Sequence, residues 1–359
     1  MNEQNYEVIA RRYRPKTFDQ VIGQDHILQT LTHAIERGRI AHAYLFVGPR
    51  GTGKTTLARL FSMAINARGG PSIHFDSEDA ISAAIWRGTH MDVIEIDGAS
   101  NNSVDEVRNL REQCIYAPIE CRHKIFIIDE IHMLSNAAFN ALLKILEEPP
   151  PHVKFIFATT EGHRVIETVL SRCQRFQFRP ISQEQIVKKL REIASLEGIG
   201  LEPAAADAIG RLAMGGMRDA QSIFEQMTTF CGQTIREKDV LSMYAIPSAV
   251  AIQSIVDAVL QRDLEEILRI SSKWEAEHLD LFRAMVDINA ELRRRLLLAI
   301  GKPFSQQSQI IALLQVLGDC ERALPFSLSA ETLFATALLR AVENSRRRPI
   351  GELLEELRQ

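Results

Sequence analysis

Residues 43–56, AYLFVGPRGTGKTT, decide the fold. A short apolar run typical of a buried strand leads into a glycine-rich turn, and a helical pattern follows it. The pattern GxxxxGK[ST] is matched by Gly48, Pro49, Arg50, Gly51, Thr52, Gly53, Lys54 and Thr55. Glycines let consecutive backbone N–H groups face a phosphate, and the N-terminus of the next helix adds a favourable dipole. The stretch therefore predicts a nucleotide site in an α/β fold.

The residue types around this loop predict phosphate chemistry. Lys54 can reach the β- and γ-phosphates, and the Thr55 hydroxyl can ligate Mg²⁺. Asp129 ends the apolar run KIFIIDE (124–130) and is expected to hold Mg²⁺ directly or through water. Glu130 is then placed to orient and deprotonate an attacking water. Adjacent carboxylates at a strand end also occur in solvated turns, but with the glycine loop upstream they indicate nucleotide hydrolysis.

Two further polar residues follow predicted elements. VKFIFATT (153–160) ends in two hydroxyl residues, of which Thr160 is preferred over Thr159 as a ligand of the γ-phosphate or the attacking water. Ordinary strand-end threonines fit the same residues equally well. Arg218 follows two glycines and opens a helix. It is either a phosphate contact across a cleft or a solvated charge at a helix end.

Periodicity along the chain predicts the domain order. Apolar runs at 43–48, 91–98, 124–130 and 153–160 indicate central strands of a parallel sheet, with helices between them. After about residue 178 we expect no further strands, and helical patterns follow. We therefore predict an α/β domain over 1–178, a small helical domain over 179–245, and an all-α domain over 246–359.

Composition excludes several classes of protein. The formal net charge of −4 argues against a protein that coats nucleic acid without specificity. No apolar run is long enough for a bilayer, and the N-terminus lacks the apolar core of a signal peptide, so a cytoplasmic location is expected. The five cysteines form no CxxC pair, which predicts free thiols.

Longer motifs resemble one family. The segments ARRYRPKTFDQVIGQDHI (10–27), NALLKILEEPPPHVKFIFATT (140–160) and LSRCQRFQF (170–178) resemble the gamma/tau subunits of the bacterial DNA polymerase III clamp loader. These are AAA+ ATPases of the clamp-loader clade, and the resemblance runs from about residue 6 to about residue 230. It implies an α/β, AAA+ P-loop parallel-sheet domain, a helical lid domain and an all-α collar domain.

The resemblance also implies roles for single residues. Lys54 and Thr55, with Thr56 beside them, correspond to the family's Walker A motif, and Asp129 and Glu130 to Walker B. Thr160 corresponds to sensor 1 and Arg218 to sensor 2. The residues expected to flank the adenine are Arg14, Pro15, Val21 and Ile22. Arg172 matches the SRC arginine that reaches the ATP site of a neighbouring subunit, so Glu130, Lys54, Arg172 and Thr160 form the implied catalytic set.

The function implied by the resemblance is that of an ATP- and Mg²⁺-dependent motor subunit. Such subunits join delta and delta-prime in a hetero-oligomeric ring that opens a sliding clamp and places it on primed DNA. Residues 100–108 correspond to a segment that faces DNA. The alternatives are a non-hydrolysing stator, which the intact Lys54 and Glu130 argue against, and another oligomeric AAA+ enzyme that remodels DNA or protein.

The chain departs from the family where a four-cysteine zinc module is usual. Residues 67–90 contain no cysteine, and Ala67 stands where the first ligand is expected. Acidic and histidine side chains in this interval are expected to be solvated rather than metal-bound: His74, Asp76, Glu78, Asp79 and His90. We therefore predict no structural zinc. The long extension of tau forms is also missing, so the chain resembles the gamma form or a second, divergent copy.

Overall fold

The computed structural model describes residues 7–300 and 304–345. Within them, a five-stranded parallel sheet has the order β2-β3-β4-β1-β5. The strands are β1 (Ala43–Val47), β2 (Val93–Asp97), β3 (Lys124–Asp129), β4 (Val153–Thr159) and β5 (Gln174–Gln177). The four predicted strands and the parallel α/β class are confirmed.

The edge strand β5 was not predicted from the sequence. It reads QRFQ, and only Phe176 of the four residues is buried. A strand this short and polar carries no periodic signal. It forms because its backbone pairs with β1, from the Tyr44–Gln174 register to Val47–Gln177.

Helices cover both faces of the sheet because alternate residues of β1 point to opposite sides. Tyr44 and Phe46 belong to one apolar core, and Ala43, Leu45 and Val47 belong to the other. The first core is covered by α2 (Asp25–Glu36), α3 (Lys54–Ile65) and α4 (Ala80–Arg87). The second is covered by α5 (Val104–Ile115), α6 (Asn136–Glu147) and α7 (Glu167–Leu170). A short helix, α1 (Ile9–Arg12), precedes them.

Close backbone approaches shape the carboxyl edge of the sheet. A Cβ atom at Gly48 would lie 2.6 Å from the Cβ and 2.7 Å from the carbonyl oxygen of Phe178, which follows β5. The Phe178 N–H donates to the Val47 carbonyl over 2.7 Å. Glycine is therefore required where β1 passes into the loop at residues 48–53.

Helices dominate after the sheet. They are α8 (Gln183–Glu197), α9 (Pro203–Leu212), α10 (Met217–Cys231), α11 (Glu237–Met243), α12 (Ala249–Gln261), α13 (Leu264–Ala276), α14 (Leu281–Leu298), α15 (Phe304–Ala323) and α16 (Ala330–Asn344). Two short strands, β6 (Gly200–Leu201) and β7 (Thr234–Ile235), interrupt them. The expectation of no strands beyond residue 178 was wrong there, since two-residue strands leave no periodic pattern.

The chain divides into two compact units. The first comprises residues 1–201 and 209–234, and the second comprises 202–208 and 235–359. The second has its own core, which includes Ile255, Trp274, Ile288 and Phe334. The three boundaries drawn from the sequence stay a prediction. No helix among the described residues combines the length and the hydrophobicity needed to cross a membrane.

A buried carboxylate anchors the loop between α5 and β3. Asp92 is 1% exposed and accepts the backbone N–H groups of Ile119, Glu120 and Cys121 at 2.8 to 3.0 Å. Burial by itself raises the pKa of Asp92, but the three N–H donors outweigh it and hold the pKa below its ordinary value. The ionised form therefore stabilises the fold above that ordinary pKa, about 3.9.

We expect Asp92→Asn to destabilise the first unit by about 3 kcal/mol near neutral pH, because an amide cannot accept all these N–H groups. The thermal midpoint should fall by roughly 5–10 °C. Because the pKa of Asp92 is lower in the native state, its stabilising effect is lost as pH falls. The difference in stability between the wild-type chain and Asp92→Asn should therefore narrow below about pH 4. Thermal unfolding at several pH values measures this difference. The control is Asp76→Asn, the same substitution at an exposed site. An equal loss in both variants would contradict the assignment.

Candidate functional site

A cavity of about 730 Å³ opens at the carboxyl edge of the sheet, within the first unit. The sequence-predicted residues that line it are Arg14, Pro15, Val21, Ile22, Arg50, Gly51, Thr52, Gly53, Lys54, Thr55, Thr56, Asp129, Glu130 and Arg218. They come from the N-terminal segment, the glycine loop, the end of β3 and the start of α10. Tertiary folding therefore brings together residues from segments that are far apart in the chain.

The glycine loop presents the N-terminus of α3 to this cavity. Gly53 has a φ of 96°, a left-handed conformation that side chains other than glycine rarely adopt. Lys54, Thr55 and Thr56 form the first turn of α3, whose free N–H groups favour an anion. The backbone conformation at the loop thus supports phosphate binding.

Lys54 is held inside the loop. Its Nζ donates to the carbonyl oxygens of Gly48 at 2.9 Å and Pro49 at 3.0 Å, and the residue is 6% exposed. Burial lowers the pKa of Lys54, while the nearby Glu130 and Asp129 carboxylates oppose that shift. Gly48 and Pro49 do not line the cavity themselves; they act on it through this contact.

Thr55 and Asp129 form a pair of oxygen groups. The Thr55 hydroxyl donates to Asp129 Oδ2 over 2.6 Å, which joins the start of α3 to the end of β3. A hydroxyl and a carboxylate are hard oxygen ligands of the kind that Mg²⁺ prefers. The two residues therefore fit the metal role predicted for them.

Glu130 is held in an unusual backbone conformation beside Asp129. Its φ is 47°, in the left-handed region, and such outliers persist where surrounding contacts impose them. Its Oε2 accepts the Thr160 backbone N–H at 2.9 Å and the Thr160 hydroxyl at 3.0 Å. Thr160 does not line the cavity, but it orients the carboxylate that does.

A histidine missed by the sequence analysis joins this group. His132 Nδ1 lies 3.3 Å from Glu130 Oε2 and 2.8 Å from Thr159 Oγ1. Its side chain is only 5% exposed. It follows Asp129 closely in the chain but lies just beyond the strand-end run KIFIIDE (124–130).

Arg172 lies apart from the cavity. Its Nη2 contacts Glu147 Oε1 at 2.8 Å, and its Nη1 donates to the Thr168 carbonyl at 2.7 Å. These partners belong to α6 and α7. Burial raises the pKa of the adjacent Cys173 thiol to about 12, so this cysteine is a neutral packing residue.

The helical region after the sheet also lines the cavity with residues that the sequence did not single out. They include Ile181, Lys189, Met217 and Gln221. The Met217 N–H donates to the Gly51 carbonyl over 3.0 Å, which fixes the start of α10 against the glycine loop. No residue type or spacing near α8 or α10 could have revealed these contacts, because they depend on tertiary folding.

The interval 67–90 is held by polar contacts of its own. Asp79 accepts the Ile81 N–H at the start of α4 and pairs with Arg68 at 3.0 Å. Glu78 pairs with Lys16 at 3.0 Å. The prediction of no structural zinc stays a prediction.

One possible group of metal ligands occurs beside that interval. Donor atoms of His90, Asp92 and Cys121 lie within 4.8 Å of one another. The oxygens of Asp92 are already occupied by the backbone N–H groups described above. Burial raises the pKa of the Cys121 thiol to about 12, with Asp92 and Glu120 adding to the shift, so the thiol is neutral.

Two families match successive parts of the chain. Residues 23–182 match a family described as DNA polymerase III, delta subunit, and residues 185–233 match the ATPase lid domain of a DNA polymerase III clamp loader subunit. A partial structural similarity to the RuvB Holliday junction branch migration motor of Thermotoga maritima has a TM-score of 0.49 at 21% identity, over 69% of this chain and 79% of that one. That similarity is too low to support an argument.

Curated relatives are more informative. The chain is 42% identical over 264 residues to DNA polymerase III subunit tau of Bacillus subtilis, covering 74% of this chain and 47% of that protein. It is 38% identical over 292 residues to subunit gamma of Buchnera aphidicola, covering 79% and 81%. The chain thus spans about half the length of the tau relative. The chain belongs to the gamma/tau family of DNA polymerase III clamp-loader subunits, and its match to their ATPase lid domain agrees with a nucleotide-binding fold.

Proposed function

We propose that the chain is an ATP-hydrolysing motor subunit of a clamp loader, which places a sliding clamp on primed DNA. The main support is that one cavity is lined by Lys54, Thr55, Asp129 and Glu130. A chain that only bound nucleotide would not need Glu130 as a base. Family membership supports the same function.

We propose that ATP replaces the hydrogen-bond acceptors of the Lys54 ammonium group. That ammonium group donates hydrogen bonds to the Gly48 and Pro49 carbonyls. The β- and γ-phosphates offer anionic acceptors in their place, and charge-assisted hydrogen bonds are stronger than those to neutral carbonyls. Thr55 and Asp129 are the proposed Mg²⁺ ligands, and bound Mg²⁺ would neutralise phosphate charge.

Hydrolysis is assigned to Glu130. Its carboxylate accepts a proton from the water whose oxygen attacks the γ-phosphorus, and the bond to the β-phosphate oxygen breaks to leave ADP. Thr160 donates both its N–H and its hydroxyl to Oε2, so Oε1 remains the oxygen for the water. Arg218, which lines the cavity, is the proposed second phosphate contact.

Arg172 is proposed to complete the ATP site of a neighbouring subunit. Its own chain holds it outside the cavity, at Glu147 and Thr168. An arginine supplied by another chain stabilises charge on the transferring phosphoryl group. The proposed assembly is a hetero-oligomeric ring with delta and delta-prime, with ATP sites at the subunit interfaces.

Reconstitution tests this function directly. The chain is mixed with delta, delta-prime, sliding clamp and primed DNA, and ring assembly and phosphate release are measured. We expect a ring to form and ATP hydrolysis to rise when clamp and DNA are both present. Lys54→Ala should assemble without this stimulation. A wild-type chain that neither assembles nor responds to clamp and DNA would overturn the proposal.

A further inference from the structure

Arg14 is a half-buried cation at the wall of the cavity. Its Nε donates to the Thr56 hydroxyl over 2.9 Å, and the described residues include no carboxylate paired with it. Burial is the main reason that the pKa of Arg14 is lowered to about 10, and the neighbouring Arg59 adds to the shift. The nearby Glu95 and Asp129 carboxylates partly offset this shift, but neither is bound to the guanidinium, so its remaining N–H donors favour an anionic ligand.

The position of Thr56 indicates which part of a ligand Arg14 meets. Thr56 lies in the first turn of α3, directly after Lys54 and Thr55. That turn is where a glycine loop of this type binds phosphate groups. The resemblance implied a place for Arg14 beside the adenine, but its bond to Thr56 puts its remaining donors beside the phosphate-binding first turn of α3.

Trp86 covers the face of this guanidinium. The Cζ of Arg14 lies 5.3 Å from the centroid of the Trp86 ring, within the range of a cation–π interaction. Stacking uses the face of the planar guanidinium and leaves the N–H donors at its edge free for hydrogen bonds. The ring can therefore hold Arg14 without competing with an anion.

The surrounding contacts fix Trp86 in this place. The ring packs against the core between the sheet and α3. The Trp86 carbonyl accepts a hydrogen bond from Arg59 Nη1 at 2.6 Å, and Arg59 Nε is bound to Glu95 at 2.7 Å. The helix α4 thus contributes a rigid aromatic surface to the outer side of Arg14.

We propose that Trp86 is a positioning residue that orients Arg14 toward the phosphates of the bound nucleotide. Trp86 itself does not line the cavity and acts through Arg14. The inference rests on ATP occupying this cavity, as proposed above. It connects α4, in the cysteine-free interval 67–90, to the nucleotide site through Arg14.

Binding measurements separate this role from a general loss of structure. We expect Trp86→Ala to weaken the binding of fluorescent ATP and ADP analogues about tenfold, which is the size of a partly buried cation–π contact. Adenosine should compete equally well in both proteins, because it has no phosphate. Trp86→Phe should recover most of the affinity. Equal losses for adenosine and ATP, or no loss for ATP, would overturn the proposal.

Tryptophan emission gives a second test that leaves the contact intact. The chain has two tryptophans, and the other, Trp274, is buried in the core of the second unit. In Trp274→Phe we expect ATP to change the emission of Trp86 because the adjacent cation gains an anionic partner. In Trp86→Phe the remaining emission should not change. If the emission of Trp86 stays constant while the analogue binds, the positioning role is contradicted. If the wild-type protein binds no ATP, the proposed function is refuted as well.

Discussion

Glu130→Gln should bind ATP with nearly wild-type affinity and hydrolyse it about 10²–10⁴-fold more slowly, because an amide cannot take the proton of the attacking water. The substituted amide side chain has almost the same shape as the carboxylate and keeps an oxygen to accept the Thr160 donors. The loss should therefore lie in kcat rather than in binding. Phosphate release at saturating ATP and titration with a fluorescent ATP analogue measure the two quantities separately.

The control for this variant is Glu148→Gln, which makes the same change of charge at an exposed site near the end of α6. It should alter kcat by less than about threefold, in line with a surface substitution away from the chemistry. If Glu130→Gln retained more than a tenth of the wild-type rate, Glu130 would not be the base. A loss of ATP binding instead would indicate that Glu130 shapes the cavity through its left-handed backbone.

Arg172→Ala should leave ATP binding by its own chain intact and lower the clamp- and DNA-stimulated hydrolysis by about 10³-fold or more, as expected for a finger arginine. Binding is spared because Arg172 contacts Glu147 and Thr168 rather than the cavity. Stimulated hydrolysis is measured in the assembly reconstituted with delta, delta-prime, clamp and DNA. Arg175→Ala, in the neighbouring strand β5 and exposed, should behave like the wild-type chain.

Mixed assemblies test whether Arg172 acts between subunits. A chain with Lys54→Ala has an inactive site of its own but an intact Arg172, and a chain with Arg172→Ala has the reverse. Each alone should be inactive, whereas rings that contain both should recover part of the stimulated rate at interfaces where an intact site meets an intact arginine. No recovery in the mixture would show that Arg172 does not serve a neighbour.

Local sequence was enough to predict the strand, loop and helix that form the candidate nucleotide site. Val47 ends a continuous apolar strand, Gly53 requires a left-handed turn, and Lys54 starts a mostly buried helix. Each of these features is governed by residues close together in the chain. The same holds for Asp129 and Glu130, which lie at the end of the buried strand β3. The parallel α/β class follows from the repetition of such strand–helix units.

Tertiary structure decided what depends on contacts between distant segments. The strand β5 forms by pairing with β1, and Arg172 is held by Glu147 from another helix. Trp86 meets Arg14 although the two residues lie far apart in the sequence. No sequence motif predicts this contact, because the two side chains interact only through their proximity in the folded chain. The sequence by itself determined the strand, loop and carboxylates of the candidate nucleotide site, and only the folded chain decided which side chains orient them.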